Sequence, residues 1–232
     1  MWYNIISKMP QKEYSENRIV RWVYPIIKRI LGPIIRAFWI KKIEGLENIP
    51  AEGPMIIASN HQSYFDFICF TAVSPRRVRY LAAEKFYKSR FWRPIMNLTG
   101  QIKVDRTQHD KSEVYEAVHS ALRHGQAVGV FPEGTRSSDG EIKKPFTGVA
   151  KFVLKERVPV IPVGLIGTYE IMSRHDKFPK LKKKAVIKIG KPLYFQEYYD
   201  KENSDKEFKE VTDKIMSNIA TLAGKKYFHK EG

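Results

Sequence analysis

The residues with the clearest capacity for chemistry are His61 and Asp66, a titratable imidazole five positions before a carboxylate. A histidine held by a carboxylate can take a proton from a substrate hydroxyl at neutral pH, because the unperturbed pKa of histidine is about 6.5. In one continuous helix, positions five apart point about 140° away from each other. We therefore expect the chain to bend between His61 and Asp66.

The flanking residues predict this bend. Residues 55–58 are apolar and typical of a buried strand, and the pattern Ser63-x-x-Asp66 before an apolar run is typical of a capped helix start. His61 would then lie on the connecting turn. A purely structural interpretation stays open at this point, in which Asp66 only caps the helix and His61 is an ordinary polar residue at a strand end.

Two later segments also place polar residues where a strand ends. Residues 100–106 carry two cations around a short apolar run, and residues 130–137 end a second strand in a polar turn. In open α/β sheets, ligands bind beyond the carboxyl ends of the strands, so residues from several strand ends can converge on one pocket. An imidazole, a carboxylate and several cations would then face one anionic substrate.

Four segments follow one another between residues 60 and 163: N-H-Q-S-Y-F-D, G-Q-I-K-V-D-R, F-P-E-G-T-R-S and V-P-V-I-P-V. Their composition and order resemble the four motifs of the glycerolipid acyltransferases. Within that superfamily the chain is most similar to the bacterial 1-acyl-sn-glycerol-3-phosphate acyltransferases. The resemblance implies transfer of an acyl chain from acyl-CoA or acyl-carrier protein to the sn-2 hydroxyl of lysophosphatidic acid, giving phosphatidic acid. It implies no bound cofactor.

The resemblance also assigns roles to individual residues. His61 is the implied general base, and Asp66 is the group that orients it. The acceptor and its phosphate are assigned to residues of the second and third motifs: Arg106, Glu133, Gly134, Thr135 and Arg136. Spacing adds Lys103 as a further substrate-binding candidate, which on a strand shares a face with Asp105. We expect no metal, because no set of His, Cys and carboxylate residues has ligand spacing.

A covalent route would need a nucleophile beside the base. Cys69 is the only cysteine, and its apolar surroundings in residues 67–70 are typical of a small buried hydrophobe. Ser63 remains an alternative nucleophile, although helix capping accounts for it. We therefore expect direct transfer from the thioester to the acceptor hydroxyl. A related acyltransferase that uses glycerol 3-phosphate or another lysolipid is the alternative within the enzyme class.

The chain has 41 Lys and Arg residues against 25 Asp and Glu, a formal net charge of +16. This excess predicts attraction to an anionic surface, either nucleic acid or acidic lipid. A non-catalytic basic module that binds nucleic acid or a membrane surface is the alternative of another class. The chain lacks a zinc spacing, a glycine-rich phosphate loop and an RNA-recognition signature, so we expect no nucleic-acid partner.

The N-terminal region combines apolar and basic residues at helical spacing. Gly32 and Pro33 are expected to break it into two helices, an amphipathic hairpin that binds an anionic membrane surface. Charges interrupt the apolar runs too often for a spanning helix, and no secretory signal is evident, so we expect a monotopic protein at the cytoplasmic face of the cell membrane. A helix pair packed on the core is the alternative. The apolar stripe comprises Ile19, Trp22, Val23, Ile26, Ile27, Ile30, Ile34 and Phe38.

The remaining chain alternates strand and helix patterns, which predicts an α/β fold with a mixed, mainly parallel central sheet flanked by helices. Strands are expected at 55–59, 78–83, 102–104, 127–131, 158–166 and 185–189, and helices at 110–124 and after the capping box Ser204-x-x-Glu207. We divide the chain into a membrane-association segment, 1–50, and a catalytic domain, 51–232. The lysine run 180–184, preceded by Arg174 and Lys177, is either a solvated loop or a contact for anionic lipid or acidic acyl-carrier protein.

Overall fold

The computed structural model describes residues 18–90, 92–105 and 111–227. Seven strands of these residues form one sheet, and they are β1 (Ile40–Glu44), β2 (Met55–Ser59), β3 (Val78–Ala83), β4 (Ile102–Val104), β5 (Ala127–Val130), β6 (Val160–Ile166) and β7 (Ala185–Ile189). Their order across the sheet is β1-β7-β6-β2-β5-β3-β4. Neighbouring strands are parallel except β6 and β7, which are antiparallel. The predicted mixed, mainly parallel α/β sheet is therefore confirmed.

The helices of the described residues cover both faces of this sheet. They are α1 (Arg18–Phe38), α2 (Phe65–Val73), α3 (Glu84–Lys88), α4 (Trp92–Thr99), α5 (Ser112–Arg123), α6 (Gly148–Glu156), α7 (Thr168–Ile171) and α8 (Asp205–Ala223), with short 3-10 turns at Leu46–Asn48 and Gln196–Tyr198. Helices α5, α6 and α8 pack on one face, and α2 packs on the other, where it is joined by α1 and α7. All five residues of β2 are buried, as expected for a strand covered on both faces.

Most predicted elements agree with the structure to within two residues at the described ends. The capping box that begins α8 is present, since Ser204 and Glu207 exchange hydrogen bonds between side chain and backbone. The apolar face of that helix packs into the core, with Val211, Ile215 and Ile219 fully buried. Strand β1 was not predicted, because three of the five residues in its sequence Ile-Lys-Lys-Ile-Glu are charged. It is an edge strand with β7 as its partner, where charged side chains are common.

Strand β1 also lies on the N-terminal side of the division expected at residue 50. It pairs in parallel with β7, so residues 40–44 belong to the sheet. Asn48 strengthens this connection, because its amide donates a hydrogen bond to the carbonyl of Ile189 at the end of β7. Residues 1–17, which complete the expected N-terminal segment, lie outside the described residues.

The expected break at Gly32 and Pro33 is wrong, because α1 runs without interruption from Arg18 to Phe38. Pro33 and Arg29, whose carbonyl loses its helical partner, are both exposed, so water can satisfy that carbonyl. Gly32 is buried against α2, where an added Cβ would lie 3.4 Å from the carbonyl oxygen of Ala72. Close packing of two helices therefore holds a segment that local propensity would have broken.

Helix α1 packs on the protein through a face other than its predicted apolar stripe. Tyr24 and Gly32 are buried, and the ammonium of Lys28 donates a hydrogen bond to the carbonyl of Ser74. Among the described side chains of α1, the large apolar ones that remain exposed are Trp22, Ile26, Ile30, Leu31, Ile34 and Phe38. Among the helices that the structure describes, none is both long and apolar enough to cross a membrane.

Candidate active site

The pairing of β2 with β5 brings His61 and Glu133 together. Ala58 and Val130 are partners in this parallel register, and each lies three residues before one of the two site residues. The backbone N–H of His61 donates to Oε1 of Glu133 at 2.7 Å. The carbonyl of His61 accepts from the N–H of Ser137 at 2.7 Å. The two strand ends therefore fix the backbone of His61 before its side chain makes any contact.

Asn60 fixes the same backbone from the other side. Its amide donates to the carbonyl of Leu165 at 2.8 Å, and its carbonyl oxygen accepts from the N–H of Leu165 at 2.7 Å. The side chain is completely buried and continues the β2 to β6 pairing one step beyond the end of β2. Sequence analysis did not single out Asn60 for this role, although an amide residue directly after a buried apolar strand is a signal for it.

The predicted turn between His61 and Asp66 is present, and the two side chains meet. Nδ1 of His61 lies 2.9 Å from Oδ2 of Asp66. The same oxygen accepts the backbone N–H groups of Gln62 and Ser63, each at 2.7 Å. Asp66 is fully buried, and this arrangement assigns the hydrogen on Nδ1 as the one donated to the carboxylate. Nε2 of His61 is then the ring nitrogen available to a substrate.

The same turn begins helix α2, although with a geometry different from the predicted capping box. Asp66 accepts the N–H of Ser63, as such a box requires. The hydroxyl of Ser63, however, accepts the N–H of Phe65 and donates to the carbonyl of Met172. Asp66 thus holds both the imidazole and the backbone of the turn before the helix through one oxygen.

Two aromatic rings support the imidazole from one side. The ring of Phe131 stacks on His61 with centroids 3.9 Å apart and planes at 14°, and Tyr80 stacks on Phe131 at 5.5 Å. Gly129 provides the room for Tyr80, because a Cβ at that position would lie 2.4 Å from the Tyr80 ring. The tilt of the imidazole is therefore fixed by stacking as well as by Asp66.

His61 opens onto a cavity of about 740 Å³. Of the residues predicted for the site, Gly134, Thr135 and Arg136 also line it. One part of the wall is apolar, with Phe67, Leu81, Phe86, Trp92, Met96, Val104 and Val114. The charged side chains among its described lining residues are all cationic: Lys85, Lys111, Arg136 and Arg174. The cavity is thus lined by both apolar and positively charged side chains.

Arg136 holds a fixed orientation in this cavity. Its guanidinium lies 3.5 Å from the ring centroid of Tyr64, which belongs to the turn between His61 and Asp66. Partial burial lowers the pKa of Arg136, and the nearby Arg174 lowers it further. An arginine remains charged under such conditions, so two neighbouring cations create a site for an anion. Tyr64 and Arg174 had no assigned place at the site before the structure was known.

Glu133 does not line the cavity, and it acts on the site by accepting the backbone N–H of His61. Its second carboxylate oxygen accepts the N–H of Lys143 at 2.8 Å, so the group bridges residues 61 and 143. Burial raises the pKa of Glu133 to about 7, although both backbone donors oppose that shift. Gly134, which follows it, has a φ of +66°, and a Cβ there would lie 2.8 Å from the ring of Phe146. The positive φ of this turn therefore favours glycine, and an added Cβ would also displace the exposed ring of Phe146.

The two cations expected from the second motif are not both at the cavity. The ammonium of Lys103 lies 2.9 Å from Glu84, is about half exposed, and does not line the cavity. Alternation along β4 explains this, since Val104 faces the cavity and its neighbour faces the other way. Arg106 lies outside the described residues.

The two candidate nucleophiles are both fully buried. The hydroxyl of Ser63 is engaged with backbone groups, and burial raises the pKa of the Cys69 thiol. Neither residue lines the cavity. In the described part of the chain, no group of three or more His, Cys, Asp and Glu side chains is placed to hold a metal ion.

Comparison with known proteins agrees with the motifs. A family model described as Acyltransferase matches residues 41–166, more than half of the chain. The chain belongs to the Acyltransferase family. It is 27% identical over 155 residues to the 1-acyl-sn-glycerol-3-phosphate acyltransferase of Bacillus subtilis, covering 66% of this chain and 73% of that protein. It is also 27% identical over 162 residues to the chloroplastic 1-acyl-sn-glycerol-3-phosphate acyltransferase BAT2 of Brassica napus, covering 69% of this chain and 47% of that one.

This Acyltransferase family member also resembles a solved structure. The crystal structure of the 1-acyl-sn-glycerophosphate (LPA) acyltransferase PlsC from Thermotoga maritima superposes with a TM-score of 0.70 at 22% identity. The match covers 98% of this chain and 90% of that one, so the two proteins share a fold along nearly their whole length. Among the plant relatives the chain spans less than half of the full length.

Proposed function

We propose that this protein transfers an acyl chain from an acyl thioester to the sn-2 hydroxyl of 1-acyl-glycerol 3-phosphate, with phosphatidic acid as the product. The observation that carries the proposal is the placement of the His61 and Asp66 pair at a cavity lined by both apolar and cationic side chains. Membership of the Acyltransferase family and the names of the relatives support the same reaction.

The proposed chemistry begins at Nε2 of His61. This nitrogen takes the proton of the acceptor hydroxyl as the hydroxyl oxygen attacks the thioester carbonyl carbon. Asp66 stabilises the imidazolium that forms, because its buried carboxylate already accepts the hydrogen on Nδ1. When the tetrahedral intermediate collapses, the carbon–sulfur bond breaks, and the departing thiolate receives the proton from the imidazolium.

Transfer is direct in this proposal, without an acyl-enzyme. The burial of Ser63 and Cys69 supports this route, since both candidate nucleophiles are kept from the cavity. Mass spectrometry of enzyme mixed with acyl thioester alone tests the point. We expect the mass of the unmodified chain, and a stable increase by one acyl group would be evidence for a covalent intermediate.

The two kinds of lining residue match the two parts of the proposed acceptor. Arg136 and Arg174 hold the phosphate, because guanidinium groups bind phosphate oxygens through paired, charge-assisted hydrogen bonds. The aromatic and aliphatic wall around Phe86, Trp92 and Met96 holds an acyl chain. The donor is acyl-CoA or acyl-carrier protein, and neither a metal nor a cofactor takes part in the proposed steps.

Helix α1 seats the protein on the cytoplasmic face of the membrane in this proposal. Its exposed apolar stripe includes Trp22, which is 72% exposed, and Ile30, which is 60% exposed. Such a stripe, with the cations Arg29 and Arg36 on the same helix, is suited to the boundary between headgroups and acyl chains. A lipid acceptor can then enter the cavity without crossing bulk water.

A turnover assay tests the function. Purified protein is given an acyl thioester and either lysophosphatidic acid, glycerol 3-phosphate or a lysolipid without a phosphomonoester, and each product is measured. We expect phosphatidic acid from the first acceptor and much slower reaction of the other two. Equal rates with all three acceptors, or the absence of phosphatidic acid with both acyl-CoA and acyl-carrier-protein donors, would contradict the proposal.

A further inference from the structure

The connection between α7 and β7, residues 172–184, is fixed at several points. The N–H of Lys180 donates to the carbonyl of Ile171, and the carbonyl of Lys180 accepts from the indole of Trp39 at 2.9 Å. Asp176 accepts the N–H of Ser173 and forms an ion pair with Lys180. The loop therefore has a defined shape, even though it contains little regular structure.

This loop carries two of the most exposed large apolar side chains in the described residues. Phe178 is 80% exposed and Leu181 is 75% exposed. They leave the buried core and make no contribution to its packing. Single exposed apolar side chains are common on protein surfaces, but two that protrude from one ordered loop, three positions apart, form a candidate contact site.

The residues around this apolar pair are strongly basic. Four exposed lysines, Lys177, Lys182, Lys183 and Lys184, lie within six positions of Phe178, and no ion pair joins any of them to a carboxylate of the described chain. The single acidic residue of the loop, Asp176, is already paired with Lys180. The loop thus presents apolar side chains within a surface that attracts anions.

The position of the loop relates it to the proposed substrate. At one end, Arg174 lines the catalytic cavity beside Arg136. At the other, Trp39 ties the loop to the end of α1, directly after the exposed Phe38. A surface that contacts Phe178 and Leu181 would therefore lie close to the cavity that takes the acceptor.

We propose that this loop is a second membrane anchor, in which Phe178 and Leu181 enter the interface of an anionic bilayer while the surrounding lysines bind lipid phosphates. The inference rests on the proposed lipid acceptor and extends the membrane contact beyond α1. Apolar side chains that protrude among lysines suit a fluid, anionic interface, which needs no complementary groove. The same loop then brings Arg174 to the headgroup level, where a lysolipid leaves the bilayer for the cavity.

Vesicle sedimentation tests the anchor. The probes are vesicles of phosphatidylcholine alone and vesicles that also contain phosphatidylglycerol, and the full chain is compared with Phe178→Ser/Leu181→Ser. We expect wild type to bind the anionic vesicles and the double variant to bind at least about tenfold more weakly, because two apolar side chains no longer enter the interface. Tyr194→Ser is the matched control, since Tyr194 is also exposed but follows β7 beside the opposite face of the sheet, and it should bind as wild type does.

Further variants and assays distinguish a membrane from a protein as the partner of this surface. A Lys177→Gln/Lys183→Gln variant should lose affinity for the anionic vesicles only. Unchanged melting temperatures, and unchanged turnover of detergent-dispersed acceptor with acyl-CoA, are expected for all variants. Vesicle binding by the double variant equal to wild type would overturn the proposal. Retained vesicle binding by the double variant, together with a selective loss of turnover with acyl-carrier protein as the donor, would also overturn it. That result would identify the loop as a protein-docking surface. Loop-dependent vesicle binding by a protein that makes no phosphatidic acid would uphold the anchor and reject the proposed function.

Discussion

The guanidinium of Arg136 lies 3.5 Å from the ring centroid of Tyr64, which belongs to the turn that joins His61 to Asp66. The cation of the third motif is thereby placed against the segment that carries the proposed base. A phosphate bound by Arg136 would be held at a set distance from His61, and the acceptor hydroxyl with it. Positioning of this kind accounts for a large part of the rate of many enzymes.

Arg136→Lys should raise the KM for lysophosphatidic acid about 10- to 100-fold and change kcat much less. Lysine keeps the positive charge but loses the planar group that stacks on Tyr64 and binds phosphate through two hydrogen bonds. Steady-state kinetics measure the effect. Arg123→Lys is the matched control, because Arg123 pairs with Glu156 at the end of α5 and does not line the cavity. An unchanged KM in Arg136→Lys would contradict the assignment of Arg136 as a phosphate-binding residue.

Asp66→Asn should lower kcat by about a hundredfold and leave the KM of the acceptor nearly unchanged. An amide oxygen in the place of Oδ2 still accepts the N–H groups of Gln62 and Ser63, so the turn is kept while the charge is lost. The imidazolium of His61 then forms without its counter-charge. Asp66→Ala is expected to be much less stable than Asp66→Asn, since it leaves both buried N–H groups without a partner. Equal melting temperatures of the two variants would contradict this division of roles.

The stability of the protein should depend on the titration of Glu133. Burial raises the pKa of this carboxyl from its ordinary 4.5 to about 7 in the folded chain. A raised carboxyl pKa means that the folded state binds the proton more tightly than the unfolded state, so the stability it contributes is complete below pH 4.5 and is lost as the pH rises through about 7. Denaturant unfolding of wild type and Glu133→Gln between pH 5 and 8 measures this contribution. Wild type should lose stability relative to Glu133→Gln as the pH rises, and a constant difference would contradict the assignment.

Gly134→Ala should destabilise the protein by about 1 kcal/mol, which is about 2–4 °C in melting temperature for a chain of this size. The positive φ of +66° is unfavourable for alanine, and the new Cβ would contact Phe146. The ring of Phe146 is exposed and free to shift, so we expect most of the loss to come from the backbone. The same substitution in a Phe146→Ala background should therefore be nearly as costly. Complete rescue in that background would show that the contact dominates.

Sequence patterns were most informative where one physical rule acted alone. The strands β2 and β7 were correctly predicted, because in each the run of mainly apolar residues coincides with the limits of the strand. The meeting of His61 with Asp66 also followed from local reasoning, since the residues at 60–66 demanded a turn. Lys103 was expected at the substrate but pairs with Glu84 outside the cavity, and a three-residue strand gives too little alternation to show which of its faces is buried.

Features that depend on distant packing could not be predicted in this way. The continuity of α1 through Pro33 requires the contact between Gly32 and Ala72, and these residues belong to different helices. Arg174 reaches the cavity only because β6 and α7 deliver it beside Arg136. The stacking of Phe131 on His61 likewise depends on the pairing of β2 with β5. Each of these contacts joins segments that are far apart in sequence, so a local pattern could not predict it.

The most direct test of the whole account is the turnover number of His61→Ala with an acyl thioester and lysophosphatidic acid. The side chain can be removed without loss of the backbone hydrogen bonds of residue 61 to Glu133 and Ser137, so the variant should fold as wild type does. We expect kcat to fall by about 10²- to 10⁴-fold with an unchanged circular dichroism spectrum. A folded His61→Ala protein that makes phosphatidic acid at the wild-type rate would contradict the assignment of His61 as the general base.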